Sequence, residues 1–318
     1  MQPHLSIIVP IFGVEKYIEK CITSLFNQSL QDEIEFIFVN DCTKDKSIDI
    51  LTDTLRKFPK RKKQVQIINH EKNWGLAAAR STGIKNAKGH YIAHCDSDDW
   101  VEPNMYETLL TKALAKKLDM VSCGFFIEER NKTTEVVTNH KSLEFYLKDV
   151  LANKWGTVWR FIARKSLLVK PDFVINETIG NGEDYIYTSQ ILLLAKSWAQ
   201  INLPLYHYNC CNVSSMMKTI SNKSAYEQKM ATDIVIGQLK KMGLDKVFEK
   251  EIIARKLFVR NLFIKAGIEN WKSAYPDIFY KSCNNPYVSI DRRFIYTIMD
   301  IMPSAIMNWI LGIHKRHI

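Results

Sequence analysis

The sequence lacks the patterns that mark disulfide-stapled, zinc-binding or exported proteins. Its 318 residues include seven cysteines, an odd number, and no two of them form a C-x-x-C pair. A disulfide framework or a zinc site would need paired cysteines at regular spacing. The N-terminal residues MQPHLSIIVP contain no basic segment followed by a long apolar stretch, which argues against a signal peptide. We therefore expect a reduced, cytoplasmic protein.

The chain also lacks internal repeats and low-complexity segments, but its charge is uneven. Residues 219–318 hold 16 basic and 9 acidic side chains, whereas the first 218 residues hold 28 and 25. Such a surplus suits an anionic partner, which could be nucleic acid, anionic lipid or an anionic substrate. Because no nucleic-acid-binding motif accompanies it, we expect no nucleic-acid partner.

The first 125 residues alternate short, uniformly apolar segments with segments of helical periodicity. The predicted strands cover residues 5–10, 34–40, 65–70 and 90–95. Uniformly apolar strands alternating with helices are typical of a parallel sheet covered on both faces. Beyond about residue 125 the alternation weakens, and residues 221–268 are almost entirely helical in pattern. The sequence therefore predicts an α/β fold followed by a helical region.

Polar residues follow each predicted strand, where ligands of such sheets bind. The most informative group is the aspartate cluster Asp96, Asp98 and Asp99, directly behind the fourth strand. Carboxylates so close together raise one another's pKa unless a cation neutralises them. Mg²⁺ and Mn²⁺ suit one or two carboxylates together with substrate phosphates. The alternative is a solvated acidic loop.

Four further features have both a functional and a structural interpretation. Asp41 could accept hydrogen bonds from a base or ribose, or belong to a turn or helix cap. Arg80 could reach a phosphate or base, or be an ordinary surface arginine. Glu183 and Asp184 begin a helix, where they could supply a general base or simply favour the helix dipole. His207 could contact a metal or phosphate, or be structural.

Six sequence strings, in order, resemble glycosyltransferase family 2, the inverting GT-A type common in bacterial polysaccharide assembly. They are LSIIVPIFGVEKYIEKCITSLFNQSL, VNDCTKD, NWGLAAARSTGIKNAKGHYI, DSDDWVEP, GEDYIY and LYHYNCCNVSSM, and they cover residues 4 to about 216. The resemblance implies a GT-A (Rossmann-like) α/β fold with a mostly parallel sheet and flanking helices. It also implies a hexosyltransferase that needs a divalent metal, Mn²⁺ or Mg²⁺. This enzyme would move a sugar from a nucleotide-diphosphate donor, most often a UDP-sugar, to a glycan or lipid-linked acceptor.

The resemblance also assigns roles to residues. Asp98 would hold the metal, with Asp96 and Asp99 as further metal contacts. Asp184 would remove the acceptor proton, with Glu183 as the reserve candidate. The donor-binding residues implied are Pro10, Glu15, Asp41, Asn73, Arg80, Asp96, Ser97, His207 and Ser214, of which His207 and Ser214 match a loop over the diphosphate. Three positions depart from the common family pattern, namely Asn40, Cys42 and Phe161.

Residues 1–218 are therefore predicted to be the catalytic domain, and residues 219–318 a basic helical region that associates with a membrane or a partner. Within it, residues 292–318 carry a long apolar stretch with basic flanks, but Asp300, Pro303, Ser304 and Asn308 interrupt the stretch. A membrane-spanning helix needs about 20 mainly apolar residues. We thus expect an interfacial helix at the inner face of the plasma membrane, and the alternatives are a packed terminal helix or a dimer contact.

Two other functions are weighed against glycosyl transfer. A nucleotidyltransferase would carry a Gly-rich loop with Lys or Arg after the first strand, where this chain has PIFGVEKYIEKC with one glycine. A non-catalytic protein could use the basic C-terminal region to bind nucleic acid or anionic membrane. It would bind DNA in a strongly salt-dependent way and would not cleave a sugar nucleotide.

Overall fold

The computed structural model describes residues 3–212, 220–279, 281–303, 306–307 and 310. Nine strands run through these residues: β1 Leu5–Ile11, β2 Ile34–Asn40, β3 Val65–Asn69, β4 Tyr91–His94, β5 Trp100–Val101, β6 Met120–Glu129, β7 Lys132–Val136, β8 Phe161–Arg164 and β9 Trp198–Asn209. The α-helices are α1 Ile18–Phe26, α2 Ser47–Lys57, α3 Leu76–Asn86, α4 Met105–Ala115, α5 Leu143–Leu151, α6 Lys165–Leu168, α7 Glu183–Leu194, α8 Asn222–Lys241, α9 Glu249–Lys265 and α10 Ile290–Ile301. Short 3₁₀ helices cover Pro59–Gln64, Trp271–Ser273 and Pro276–Ile278.

The strands form one sheet in the order β3-β2-β1-β4-β8-β6-β9-β5, with β7 paired to β6. The first four strands are mutually parallel, as the sequence predicts. Beyond β4 the sheet is mixed, because β8 runs antiparallel to β4 and β6 while β6 and β9 are parallel. The carboxyl ends of β1, β2, β3 and β4 therefore share one edge of the sheet.

Both faces of the parallel part are covered, which explains its uniformly apolar strands. On one face, helices α1 and α4 contribute Ile18, Leu25 and Leu109 to the main core. On α3, Gly83 meets β1 so closely that an added Cβ would lie 2.3 Å from Cγ2 of Ile8. The small residues of α3 therefore let this helix lie directly against the sheet.

Two sequence expectations about strands are corrected by the structure. The first strand is predicted to end at Pro10, but β1 continues to Ile11. The backbone of Ile8 faces β4 and that of Ile11 faces β2, so the nitrogen of Pro10 faces β4. Pairing with β4 has already ended at Ile8 and His94, so the missing N–H of Pro10 breaks no ladder hydrogen bond. His207 is expected in a loop, yet it lies inside β9, where Pro204 and a register shift against β6 hide the strand pattern.

The chain divides into two compact units. The first consists of residues 1–143, 157–178 and 191–214 and contains the whole sheet; the second consists of residues 144–156, 179–190 and 215–318. The second unit has its own core, in which Leu257 and Phe263 of α9 are buried with Trp271 and Met299. Besides the predicted C-terminal region, it thus takes in residues 144–156 and the start of α7. The catalytic role of residues 1–218 stays a prediction.

Along the described parts of the chain, no helix is both long and apolar enough to cross a membrane.

Candidate functional site

The candidate site begins at the shared edge of the parallel strands. There, backbone hydrogen bonds hold the loops in place: the N–H of Asp41 donates to the carbonyl of Ile11, and that of Cys95 to the carbonyl of Ile8. Each polar segment that follows a strand thus starts from a fixed position on the sheet.

The loops after β1 and β2 are tied to each other. The N–H of Gly13 donates to Thr43 Oγ1 at 2.9 Å, and the N–H of Glu15 donates to Asp45 Oδ2 at 2.9 Å. Glu15 Oε2 in turn accepts from the N–H of Lys46 at 3.1 Å. The exposed Glu15 therefore stands at the edge where the sequence places it, and its carboxylate already stabilises the neighbouring loop.

Asp41 is buried and fixes the loop that leads into α3. Its carboxylate accepts from the N–H groups of Trp74 and Gly75, both at 2.8 Å, and Oδ1 lies 2.8 Å from His70 Nδ1. The Asp41 carboxylate therefore orders the loop of residues 70–75 that leads into α3, and it caps neither α2 nor α3. Its predicted contact with a base stays a prediction.

Two large aromatic side chains are exposed at the same edge, and the sequence analysis did not single them out. Phe12, directly after β1, is 52% exposed, and Trp74, in the loop before α3, is 47% exposed. The Trp74 ring packs on the His70 ring with 4.4 Å between centroids. The exposed Asn73 precedes Trp74. Phe12 directly follows the buried strand β1, a position that could have identified it, whereas Trp74 stands five residues after the half-buried β3 and has no such signal.

Arg80 and Asp96 form an ion pair in the next part of the site. Arg80 lies in α3, is only 3% exposed, and its Nη2 donates to Asp96 Oδ1 at 2.8 Å. The surface-arginine alternative is therefore wrong, and one carboxylate of the aspartate cluster already has its cation within the protein. Ser97, between Asp96 and Asp98, is buried.

The other two aspartates have different environments. Asp99 is fully buried, and its two carboxylate oxygens accept from the Tyr206 hydroxyl and the Asn209 N–H, each at 2.7 Å. Asp98 is partly exposed, and its Oδ2 accepts from Asn212 Nδ2 at 2.7 Å. Burial, Asp98 and Asp96 raise the pKa of Asp99 well above its ordinary value, and burial and Asp96 raise the pKa of Asp98. The acidic cluster is thus largely buried and hydrogen-bonded to the protein, and it is not a solvated loop.

The residues present fit a divalent cation that is bound partly by substrate. Over the described ranges of the chain, no three His, Cys, Asp or Glu side chains are arranged to hold a metal ion by themselves. Asp98, however, is partly exposed, and burial together with the neighbouring Asp96 raises the pKa of its carboxyl, so a nearby cation would favour its ionised form. One or two carboxylates with phosphate oxygens make up the usual magnesium coordination. Asp98 fits this requirement best, because Asp99 is fully buried and Asp96 is already paired with the Arg80 cation.

His207 is held between two carboxylates and two rings inside the sheet. Its Nδ1 lies 2.7 Å from Glu128 Oε1 and its Nε2 lies 2.8 Å from Glu102 Oε1. The ring is stacked against Trp100 and Phe126, with centroid distances of 5.0 Å and 4.5 Å. These contacts favour the structural alternative for His207. Ser214, its predicted companion, lies outside the described residues.

Glu183 and Asp184 belong to the second unit, where they form the first turn of α7. Gly182 precedes them with φ of 106°, a conformation that favours glycine. An added Cβ at Gly182 would also lie 2.9 Å from Cβ of Ala231 in α8. The close packing of Gly182 against α8 therefore fixes the position at which α7 begins with Glu183 and Asp184. Both carboxylates are partly exposed.

Comparison with known proteins identifies the class. The sequence model of glycosyl transferase family 2 matches residues 6–170, just over half of the chain. The chain therefore belongs to glycosyl transferase family 2, and the predicted enzyme class is confirmed at the level of the family.

Three particular proteins illustrate the similarity. The chain is 35% identical over 218 residues to the uncharacterized glycosyltransferase EpsJ of Bacillus subtilis (strain 168), a match that covers 65% of this chain and 61% of EpsJ. Residues 1–349 of S. aureus TarS, in complex with UDP-GlcNAc, superpose with a TM-score of 0.71 at 17% identity, over 99% of this chain and 93% of that one. The mannosyltransferase PcManGT from Pyrobaculum calidifontis, in complex with GDP-Man and Mn²⁺, gives 0.54 at 15% identity, over 97% and 88%. These structures confirm the predicted GT-A fold.

Proposed function

We propose that this protein transfers a sugar from a UDP-sugar to a hydroxyl group of a glycan or lipid-linked acceptor, with inversion at the anomeric carbon. The observation that carries the proposal is the aspartate cluster behind β4, in which Asp98 is partly exposed, lacks an ion-pair partner of the kind that Arg80 gives Asp96, and has a pKa raised by burial and Asp96. Family 2 membership supports a nucleotide-sugar donor. The UDP-GlcNAc bound to TarS supports uridine as its base.

The donor would lie at the edge formed by the ends of β1, β2 and β4. Exposed aromatic side chains such as Phe12 and Trp74 offer flat surfaces on which a nucleobase can stack. The Asp41 and His70 pair would keep Trp74 in position. Asp98 would hold a divalent cation, which when bound would offset the charge of the departing diphosphate. The Mn²⁺ in the PcManGT complex supports this choice of cation.

The chemical step needs a base on the acceptor side. In our proposal Asp184 takes the proton of the acceptor hydroxyl, and Glu183 is the reserve candidate. The acceptor oxygen then forms a bond to the anomeric carbon while the bond from that carbon to the diphosphate oxygen breaks. The electron pair leaves with UDP. A carboxylate in the first turn of α7 is favoured in its ionised form by the helix dipole, which suits a general base.

We further propose that the enzyme works at the cytoplasmic face of the membrane. On α10 the side chains Ile290, Phe294 and Ile301 are 81%, 69% and 65% exposed. A short helix with an exposed apolar side and nearby Arg292 matches helices that lie in the membrane interface. A lipid-linked acceptor would then be within reach.

The test is calorimetry with UDP and UDP-GlcNAc, with and without Mn²⁺, together with an assay for UDP release. We expect Mn²⁺-dependent binding in the wild type and its loss in Asp98→Asn. Asp184→Asn should bind UDP normally but release UDP more slowly, by about 10²-fold or more. Wild-type protein that binds none of these nucleotides would contradict the proposal. If Glu183→Gln alone loses turnover, the two acids exchange their roles.

A further inference from the structure

Helix α9 contains two buried arginines, five residues apart. Arg255 is 2% exposed and Arg260 is 3% exposed. Removing a guanidinium from water is costly unless hydrogen bonds and an opposite charge compensate for it. The two arginines meet this requirement in different ways, and the difference indicates what each one does.

Arg260 has an ordinary structural arrangement. Its Nη2 lies 3.0 Å from Oδ1 of Asp300 in α10, and both side chains are almost completely buried. Its guanidinium also lies over the Phe279 ring at 4.6 Å. Arg260 thus links α9 to α10 through a neutralising ion pair.

Arg255 has no such partner. Among the residues the structure describes, no Asp or Glu lies within ion-pair distance of it. Instead its Nε donates to Thr232 Oγ1 at 3.0 Å, and its two terminal nitrogens donate to the side-chain carbonyls of Asn153 and Gln228. The guanidinium carbon lies 3.8 Å from the centroid of the Tyr185 ring. A buried cation is therefore retained among neutral groups only.

The contacts of these neutral groups connect Arg255 to the start of α7. The Gln228 amide accepts from Arg255 through Oε1 and donates through Nε2 to Oδ1 of Asn181. Asn181 stands two residues before Glu183, and Tyr185 directly follows Asp184. Arg255 therefore contacts both sides of the acidic pair, one side through Gln228 and the other through the Tyr185 ring.

We propose that Arg255 is a positioning residue for the Glu183 and Asp184 carboxylates, an inference that rests on the proposed function of these acids. A neutral side chain of similar volume could fill the space. It could not orient the Gln228 amide, hold Asn153 and lie over the Tyr185 ring at the same time. Loss of Arg255 would release Asn181 and Tyr185, and with them the geometry of the proposed base.

The experiment compares Arg255→Met with the matched control Arg260→Met, using UDP and UDP-GlcNAc as probes. For each full-length variant we would measure the melting temperature, the Kd of UDP with Mn²⁺, and kcat and KM for UDP release from UDP-GlcNAc. Arg255→Met should lower kcat by about 10²-fold, the cost of a small misplacement of a reacting group, with KM and the UDP Kd unchanged. Arg255→Lys should recover part of kcat. Arg260→Met should lower the melting temperature but leave kcat of the folded protein unchanged.

The outcomes separate this inference from the proposed function. If wild-type protein neither binds UDP nor releases it, the proposed function fails. If wild-type protein is active and folded Arg255→Met keeps its kcat, only the role of Arg255 is refuted. Should Arg255→Met not fold, Asn181→Ala tests the same link at a partly exposed position. A normal kcat in Asn181→Ala would then overturn the inference.

Discussion

Arg80 Nη2 lies 2.8 Å from Asp96 Oδ1, so one of the three clustered aspartates is neutralised within the protein. The arginine is almost fully buried, whereas the Asp96 side chain is 25% exposed. Arg80→Met would remove the cation that pairs with Asp96 and leave this carboxylate uncompensated next to Asp98 and Asp99. We expect the free energy of unfolding to fall by about 1–3 kcal/mol, measured by urea titration.

A surface ion pair provides the control for Arg80. Arg56 Nη1 lies 2.5 Å from Asp53 Oδ1, but the two side chains are 75% and 64% exposed. Arg56→Met should therefore change stability by about 0–1 kcal/mol. Equal effects of the two substitutions would contradict the distinct role assigned to Arg80.

Binding of UDP with Mn²⁺ should depend on pH through Asp98. Burial and Asp96 raise the pKa of this carboxyl, so it takes up a proton at higher pH than an exposed aspartate does. A cation needs the ionised form, and the affinity should therefore fall as the pH is lowered toward the raised pKa. Calorimetry across a pH series measures this dependence. UDP binding measured without Mn²⁺ should lack this slope, and an equal slope there would assign it to another group.

Asp99 should make stability depend on pH in a defined direction. Its pKa in the folded protein is well above the ordinary value because of burial, Asp98 and Asp96. A raised pKa adds stability below the ordinary carboxyl pKa, and this stability is lost as the pH rises through the folded value. The melting temperature of Asp99→Asn minus that of wild type should thus increase with pH. If the melting temperatures of the two proteins change with pH in parallel, Asp99 does not hold its proton more strongly in the folded than in the unfolded state.

His207 should matter for stability rather than for nucleotide binding. A carboxylate only accepts hydrogen bonds, so the imidazole serves both Glu128 and Glu102 when both of its nitrogens carry protons. His207→Phe keeps a ring between Trp100 and Phe126 but removes one hydrogen bond from each of the two acids. We expect a loss of about 1–3 kcal/mol in unfolding free energy and an unchanged UDP Kd. Weaker UDP binding without a loss of stability would restore its predicted contact with the diphosphate.

The exposed residues of α10 should bind an anionic bilayer. Wild-type protein should sediment with phosphatidylglycerol vesicles, and the double variant Phe294→Ser and Ile301→Ser should bind about 10-fold or more weakly, since each buried apolar side chain contributes about 1.5–3 kcal/mol. Val247→Ser, another exposed apolar position of the second unit, is the control. If wild-type protein does not sediment with the vesicles, lipid binding by α10 is refuted. Dimerisation that depends on Phe294 would identify a second copy of the chain as the partner of α10 instead.

Much of the edge proposed to bind the nucleotide could be predicted because its signals are local. Each of the first four strands is a short and mainly apolar segment, and the residue that follows it in sequence also follows it at the sheet edge. Asp41 and Asp98 are therefore placed by strand order alone. The later strands are harder to predict, because β9 is only partly buried and contains Pro204.

The sequence by itself determined the parallel half of the sheet, the edge at which the polar loops gather and the family to which the chain belongs. Only the tertiary structure decided the state of each charged group there. The partners of Asp99 lie 107 and 110 residues away, and those of His207 lie 79 and 105 residues away. Burial and hydrogen bonding set a carboxylate's pKa and its access to a cation, and the fold assembles both from distant segments. For that reason three neighbouring aspartates, equivalent in sequence, became an ion-pair partner, an accessible carboxylate and a buried acid.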